Sequence, residues 1–234
     1  MSYCAARQQE LEDMTMVVAH RQESGRGQRG NSWESEPGRN LTVTLFHRPD
    51  ESGAGSLPLA QRQFRISMAT ALGVADTLGR FGIPAMVKWA NDVYIGDRKA
   101  CGILIEHTVM GSRIDNSRIG IGLNVNQEKF LSDAPNPVSM RQAAGHEFGL
   151  PEVLDVLSAC LEDRLRQPAD CVYADFMKAL WRMDGKFHTF RLRQGDRACL
   201  DARIRTVQTD GPLVLTTRQG EERSFYFKEI EFIL

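Results

Sequence analysis

Phe64, Met68, Ala71, Leu72, Ala75 and Leu78 recur at three- and four-residue steps and draw one apolar stripe along residues 59–81. That spacing predicts a long helix, closed by Gly82 and Pro84 and preceded by a Gly/Ser/Pro loop over 50–58. Such a stripe holds only when an apolar surface covers it, and the flanking sequence supplies strands. Leu41, Val43 and Leu45 alternate with Thr42 and Thr44, and 14–19 is a Val-rich run. Downstream, 85–89, 92–95, 100–106 and 118–125 read as antiparallel strands with turns at Gly96-Asp97 and around Gly111. Further helices are expected near 2–11, 138–148, 151–166 and 171–183. From Phe187 the rhythm changes to short β-prone runs, 188–192, 197–207, 213–216 and 224–227, parted by glycine turns. The expected fold is α/β (α+β): a mixed sheet packed with helices over 1–186, then a small β-barrel over 187–234.

Hydrophobic residues make up 42% and charged residues 25% of the 234, with a net charge of −1, so a globular fold is expected and disorder is not. No domain-wide positive field exists to hold nucleic acid or an anionic membrane. No apolar run approaches the ~18 residues of a membrane helix, and residues 1–11 are too polar for a signal peptide. Cys4, Cys101, Cys160, Cys171 and Cys199 are scattered, with no CxxC pair. They read as small buried hydrophobes in a reducing, cytoplasmic setting rather than as a disulfide framework or zinc cluster.

Three segments carry chemistry. Gly25-Arg26-Gly27-Gln28-Arg29-Gly30 matches G-x-G-x-x-G, but Asn31-Ser32-Trp33-Glu34-Ser35-Glu36-Pro37-Gly38 follows where a dinucleotide fold needs a helix. Glycines let a chain wrap closely round a ligand, and Arg26 and Arg29 offer planar forks for carboxylate or phosphate. A solvated surface loop has the same composition, so both readings stand on this segment alone. The second runs from Lys88-Trp89-Ala90-Asn91-Asp92 through Lys99-Ala100-Cys101-Gly102-Ile103-Leu104. Of 29 basic residues only six are lysines, and two of them lie here among apolar neighbours. Buried charges need partners; a structural ion pair is the plain account and an anion site the other. The third, Ile119-Gly120-Ile121-Gly122-Leu123-Asn124, alternates apolar residues with glycines, which admit a flat ligand or another backbone.

Taken in order, these segments resemble the biotin protein ligases, whose pattern is a GRGRxG loop followed by Trp, then KWPND, K-x-x-G-I-L and I-G-x-G-x-N. The tail Phe225-Tyr226-Phe227-Lys228-Glu229-Ile230 is similar to the end of that family's C-terminal barrel, and the resemblance covers about 14–234. It implies a class II synthetase-like catalytic domain and an SH3-like barrel, in a short form without the family's DNA-binding domain. The implied activity joins biotin to ATP as biotinyl-5′-AMP, then passes biotin to a lysine of a biotin carboxyl carrier protein domain. A lipoate-type ligase and a degenerate binding module are the alternatives. By resemblance Lys99 and Arg26 are catalytic. Gln22, Arg26, Gly27, Gln28, Lys99, Gly102 and Gly120 line biotin, while Arg26, Arg29, Trp33, Lys88, Asn91, Asp92 and Asn124 serve ATP. Asp92 is the expected Mg²⁺ ligand. A monomer or homodimer without nucleic acid or membrane partners is expected.

The match departs in three places. Ala90 stands where the family has proline, and Gln28 where it has a second loop arginine. The family's strand bearing Ser-Thr-Asn, which holds biotin's ureido ring, has no counterpart before Met1-Ser2-Tyr3-Cys4. Weaker biotin binding is the expectation, by about 1–3 kcal/mol per lost buried hydrogen bond.

Overall fold

A computed structural model describes residues 1–22, 25, 33–50, 57–132, 136–195 and 197–233. Among the described residues, eleven strands form two sheets. The first has six strands: β1 (Thr15–Val18), β2 (Leu41–His47), β3 (Met86–Lys88), β4 (Asp92–Ile95), β5 (Arg98–Met110) and β6 (Arg113–Leu123). Their order is β1-β2-β6-β5-β4-β3. Every pairing in it is antiparallel, which corrects the expectation of a mixed sheet. The second holds β7 (His188–Leu192), β8 (Cys199–Val207), β9 (Leu213–Thr217), β10 (Glu222–Phe225) and β11 (Ile230–Phe232), in the order β10-β9-β8-β7-β11. β11 has no sequence forecast, being three residues long and entered through Lys228 at φ 71°.

The helices are α1 (Ser2–Ala6), α2 (Leu59–Arg80), α3 (Met140–Ala144), α4 (Leu150–Arg166) and α5 (Ala169–Ala179). The stripe of α2 is buried against the first sheet and against α4 and α5. Helix α5 stops four residues before the expected end. Leu180 turns to extended backbone, and the Trp181 N–H goes to Val87 O at 2.8 Å instead of up the helix.

Gly73 explains how closely α2 and α4 cross. A Cβ there would stand 2.9 Å from Leu161 Cδ2 and 3.1 Å from Leu161 Cα, so a backbone as well as a side chain would have to move. Glycine costs a helix about 1 kcal/mol relative to alanine; here it admits the close approach. Gly73→Val is expected to destabilise the fold by about 1–3 kcal/mol through overpacking, read as a lower urea midpoint with an unchanged slope.

One end of the first sheet carries a pair of depressed histidines. Burial, then the nearby Arg118 and His47, lowers His107 to about 4, while its Nδ1 sits 2.8 Å from Ser117 Oγ. Burial also lowers His47, against the pull of Asp13 at 2.9 Å and with the push of Arg65. Both rings therefore stay neutral when folded over a range in which the unfolded chain, near 6.5, is already protonated. The stability they permit is whole above about pH 6.5 and is lost as the pH falls toward 4, by about 1–3 kcal/mol once solvent screening is allowed for. His107→Gln is expected to move the acid-unfolding midpoint to lower pH; an unmoved midpoint would place the acid lability elsewhere.

Candidate functional site

The glycines of β5 and β6 clear a floor on the sheet face away from the core. Direct pairing across the ladder sets Thr42, Gly122 and Gly102 in one row and Thr44, Gly120 and Leu104 in the next. Partners directly opposite share a face, and Ile103, Ile119, Ile121 and Leu123 alternate into the core behind them. A Cβ on Gly122 would stand 2.5 Å from Trp33 Nε1 and 2.8 Å from Trp33 Cζ2, and one on Gly102 2.9 Å from Trp33 Cζ3. The indole of Trp33 therefore rests directly on bare backbone. On the second row, a Cβ on Gly120 would be 2.9 Å from Met1 Sδ, and the Met1 nitrogen donates to Thr44 Oγ1 at 2.9 Å.

Lys99 reaches this floor through an irregularity. In a regular strand, residues three apart face opposite ways, which would send Lys99 to the core side if Gly102 lines the slot. Between β4 and β5, however, Val93 pairs with Cys101 and Tyr94 with Lys99, so Ala100 is an extra residue. Such a bulge re-aims a side chain. Lys99 Cε accordingly lies 3.4 Å from where a Gly102 Cβ would be, and Lys99 Nζ is 5.8 Å from the centroid of the Trp33 ring. The ammonium is paired with Asp92 Oδ1 at 2.8 Å, and both side chains are only about 30% exposed, at 31% and 29%. The Lys99 backbone is pinned as well, its N–H to Asn136 O at 2.7 Å and its carbonyl to Val138 N at 2.9 Å.

Lys88 is placed differently. Its Nζ donates to Tyr94 Oη at 2.9 Å and lies within 4.8–5.7 Å of the Tyr94, Phe232 and Trp181 ring centroids. Burial depresses its pKa, Asp92 opposes that, and Lys99 and Arg182 add to it. Burial, seconded by Asp92, pushes the Tyr94 phenol up to about 12, so it stays a neutral acceptor for that ammonium. Asn91 is a brace, buried with Nδ2 on Ile103 O at 3.0 Å. The adjacent Trp89–Ala90 peptide is cis.

Residue Asn124 is buried, with Nδ2 on Val138 O at 3.1 Å and Oδ1 without a hydrogen-bond partner among the described residues. Gln22 is exposed and turns toward Gly25, whose carbonyl accepts from the Trp33 N–H at 2.9 Å. Glu34, which sequence reasoning passed over, accepts from the N–H groups of Leu131 and Ser132 and from Gln127 Nε2, at 2.7–3.0 Å. Burial works against its ionisation, yet these bonds together hold the carboxyl below the usual range. Gln127 in turn accepts from Glu36 N at 3.0 Å and Asn40 Nδ2 at 2.5 Å. The stretch after Trp33 is thereby stapled to the turn beyond β6. Arg26, Gly27, Gln28 and Arg29 lie outside the described residues.

A floor of paired glycines, covered by an indole and ended by a lysine–aspartate pair, has the shape and charge for a flat ligand carrying an anionic group. Comparison with known proteins gives the chain's family. Residues 3–124 match the Biotin/lipoate A/B protein ligase family, more than half of the chain. The chain belongs to the biotin protein ligase family. A bifunctional ligase/repressor BirA from Bacillus spizizenii is 33% identical over 224 residues, which is 93% of this chain and 66% of that protein. A biotin--[acetyl-CoA-carboxylase] ligase from Paracoccus denitrificans is 34% identical over 161 residues, 63% of this chain and 61% of that protein. The chain thus spans less than two thirds of either relative's length. A biotin protein ligase from Aquifex aeolicus, solved in complex with biotin and ATP, shares the fold with a TM-score of 0.75 at 21% identity, covering 95% of this chain and 90% of that one. In this biotin protein ligase family member the expected Trp33, Lys99, Asp92, Gly102 and Gly120 meet at one slot. Gly122 joins them as a floor residue of the Ile119–Asn124 segment that was not among those expected at biotin. The match also covers β1 to β6, so the slot lies wholly within it.

Proposed function

We propose that this chain is an ATP-dependent ligase that forms biotinyl-5′-AMP and transfers biotin to a lysine of a biotin carboxyl carrier protein domain. The observation that carries the reading is the re-aimed Lys99, whose ammonium is delivered by the Ala100 bulge to the end of the glycine floor. In the first step an oxygen of biotin's carboxylate bonds to the α-phosphorus of ATP. The bond from that phosphorus to its bridging oxygen breaks, and pyrophosphate leaves. Two anions must meet, and charge grows on the α-phosphoryl oxygens; a fixed cation aimed there stabilises that charge without reorganising. Asp92 holds Lys99 in place at 2.8 Å. In the second step the carrier lysine's amine bonds to the acyl carbon, AMP leaves with the electron pair of the broken C–O bond, and the amine loses a proton.

The remaining roles follow from placement. Thr42, Thr44, Gly102, Gly120 and Gly122 seat biotin, with Gln22 at its bicyclic end. Trp33 stacks on adenine once it leaves the floor, and Asn124 offers its unpartnered Oδ1 to the nucleotide. Lys88, enclosed by rings, adds positive potential at the triphosphate end without a direct contact. Arg26 is the clamp on carboxylate and phosphate, with Arg29 beside it and Gly27 and Gln28 at biotin. Asp92 fits Mg²⁺ as a single carboxylate, because that ion takes most of its ligands from phosphates and water. When bound, Mg²⁺ would neutralise phosphate charge.

Incubating the chain with ATP, labelled biotin and a carrier domain tests the reading. Biotinylated carrier supports it. Product with lipoate alone would make it a lipoate-type ligase, and binding without product would make it a degenerate module.

A further inference from the structure

The tryptophans are of two kinds. Trp89 Nε1 donates to Gly211 O at 2.8 Å and Trp181 Nε1 to Asp97 Oδ1 at 3.1 Å. Trp33 Nε1 is buried with no hydrogen-bond partner among the described residues. Buried indole N–H groups normally find an acceptor, and an orphaned one is a standing penalty on the packing that buries it. The ring also lies on a surface stripped of side chains, the row Thr42–Gly122–Gly102. A ring built into a core would meet side chains there. This one occupies ground kept bare, between the open face and the Lys99 ammonium 5.8 Å from its centroid. The next residue, Glu34, is fastened to Leu131, Ser132 and Gln127.

We propose that Trp33 is a self-occluding plug. Its indole takes the place on the glycine floor that a flat ligand needs, Glu34 pins it there, and biotin binds by expelling it. The proposal rests on the reading of this slot as a biotin site and adds its regulation. A chain whose competent state is only fractionally populated binds with an affinity reduced by that fraction. The orphaned N–H sets the balance: it weakens the plugged state enough for a ligand to displace the ring, while the Glu34 anchor keeps the slot closed in its absence. The arrangement keeps a dry floor covered until a ligand with better complementarity arrives.

The test uses the full chain. Binding of radiolabelled biotin is measured by equilibrium dialysis, and the Trp33 emission is isolated as the difference between the unaltered chain and Trp33→Phe under acrylamide quenching. The Trp33 signal is expected to be shielded in the free chain and several-fold more quenchable at biotin saturation. Glu34→Gln should raise quenching before any ligand is added, and Trp33→Ala should bind biotin several-fold more tightly. Biotin binding with an unchanged Trp33 signal, or weaker binding by Trp33→Ala, overturns the plug and leaves the ligase reading standing. Absence of biotin binding in both chains overturns the slot reading and the plug with it.

Discussion

Replacing Lys99 with alanine is expected to reduce pyrophosphate release from ATP and biotin by about 10²–10³-fold, the scale seen when one preorganised donor to a developing oxyanion is removed. Binding of ATP alone should change little, because the ammonium acts most strongly on charge that appears only as the carboxylate reaches phosphorus. The contrast between rate and affinity is what identifies the role. Loss of ATP binding in step with the rate would make Lys99 a ground-state ligand for phosphate. Preservation of both would remove it from the chemistry. Rapid-quench measurement of labelled pyrophosphate beside equilibrium dialysis of labelled ATP gives the two numbers. The substitution also leaves Asp92 without its 2.8 Å partner, but that pair is partly exposed, so the effect on stability is expected to be small.

Trp181→Ala is expected to be the most damaging core change, costing about 3–5 kcal/mol. The indole is buried and sits between the two sheets. Its centroid is 5.3 Å from that of Tyr94 on β4 and 5.5 Å from that of Phe232 on β11. The indole N–H goes to Asp97 Oδ1 while the Trp181 backbone N–H goes to Val87 O, and the Arg182 guanidinium lies 4.1 Å from the ring centroid. Truncation opens a cavity and strips Asp97 and Lys88 of a neighbour together. Urea unfolding followed by both far-ultraviolet dichroism and tryptophan emission should show one earlier transition in both signals. Two separated transitions would mean that the second sheet holds together without the first. We propose 186/187 as a boundary of sequence texture and secondary structure rather than of independent stability, because the same rings serve both sides of it.

Local pattern carried most of the element assignments. The α2 stripe and β4 were legible because one period dominates each: Leu59–Arg80 shows the helical repeat, and Asp92–Ile95 sits between two turns. Strands β5 and β6 run beyond their expected limits because their outer halves are rich in polar residues, Glu106 and Arg113 exposed but Asn116 and Ser117 buried, so the apolar alternation that marks a strand fades there. The antiparallel run from β3 to β6 was legible from its short turns, but the antiparallel docking of β2 on β6 was not, since its direction depends on where the long α2 connection returns and nothing local records that. β11 was missed for lack of length, although Phe232 packs 4.9 Å from Phe190 by ring centroids. At the site, glycine spacing betrayed the floor, while the roles of Glu34 and Gln127 were invisible. Their bonds join positions 87–98 residues apart, as with Asn40 Nδ2 and Gln127 Oε1 or the Ser132 N–H and Glu34 Oε2. Lys99 was found by resemblance, but its spacing from Gly102 contradicted a regular strand, and that contradiction was a readable sign of the bulge.

The supernumerary Ala100 makes reading frame along the strand a chemical matter. Flattening the bulge with Ala100 retained would turn the ammonium among the aliphatic side chains behind the floor, whereas deleting Ala100 would leave Lys99 two residues before Gly102 and on the same face. The frame at the slot is thus kept by a pairing irregularity as well as by chain length, whereas the hairpin tip at Gly111, with open space around it, can absorb insertions without disturbing the slot.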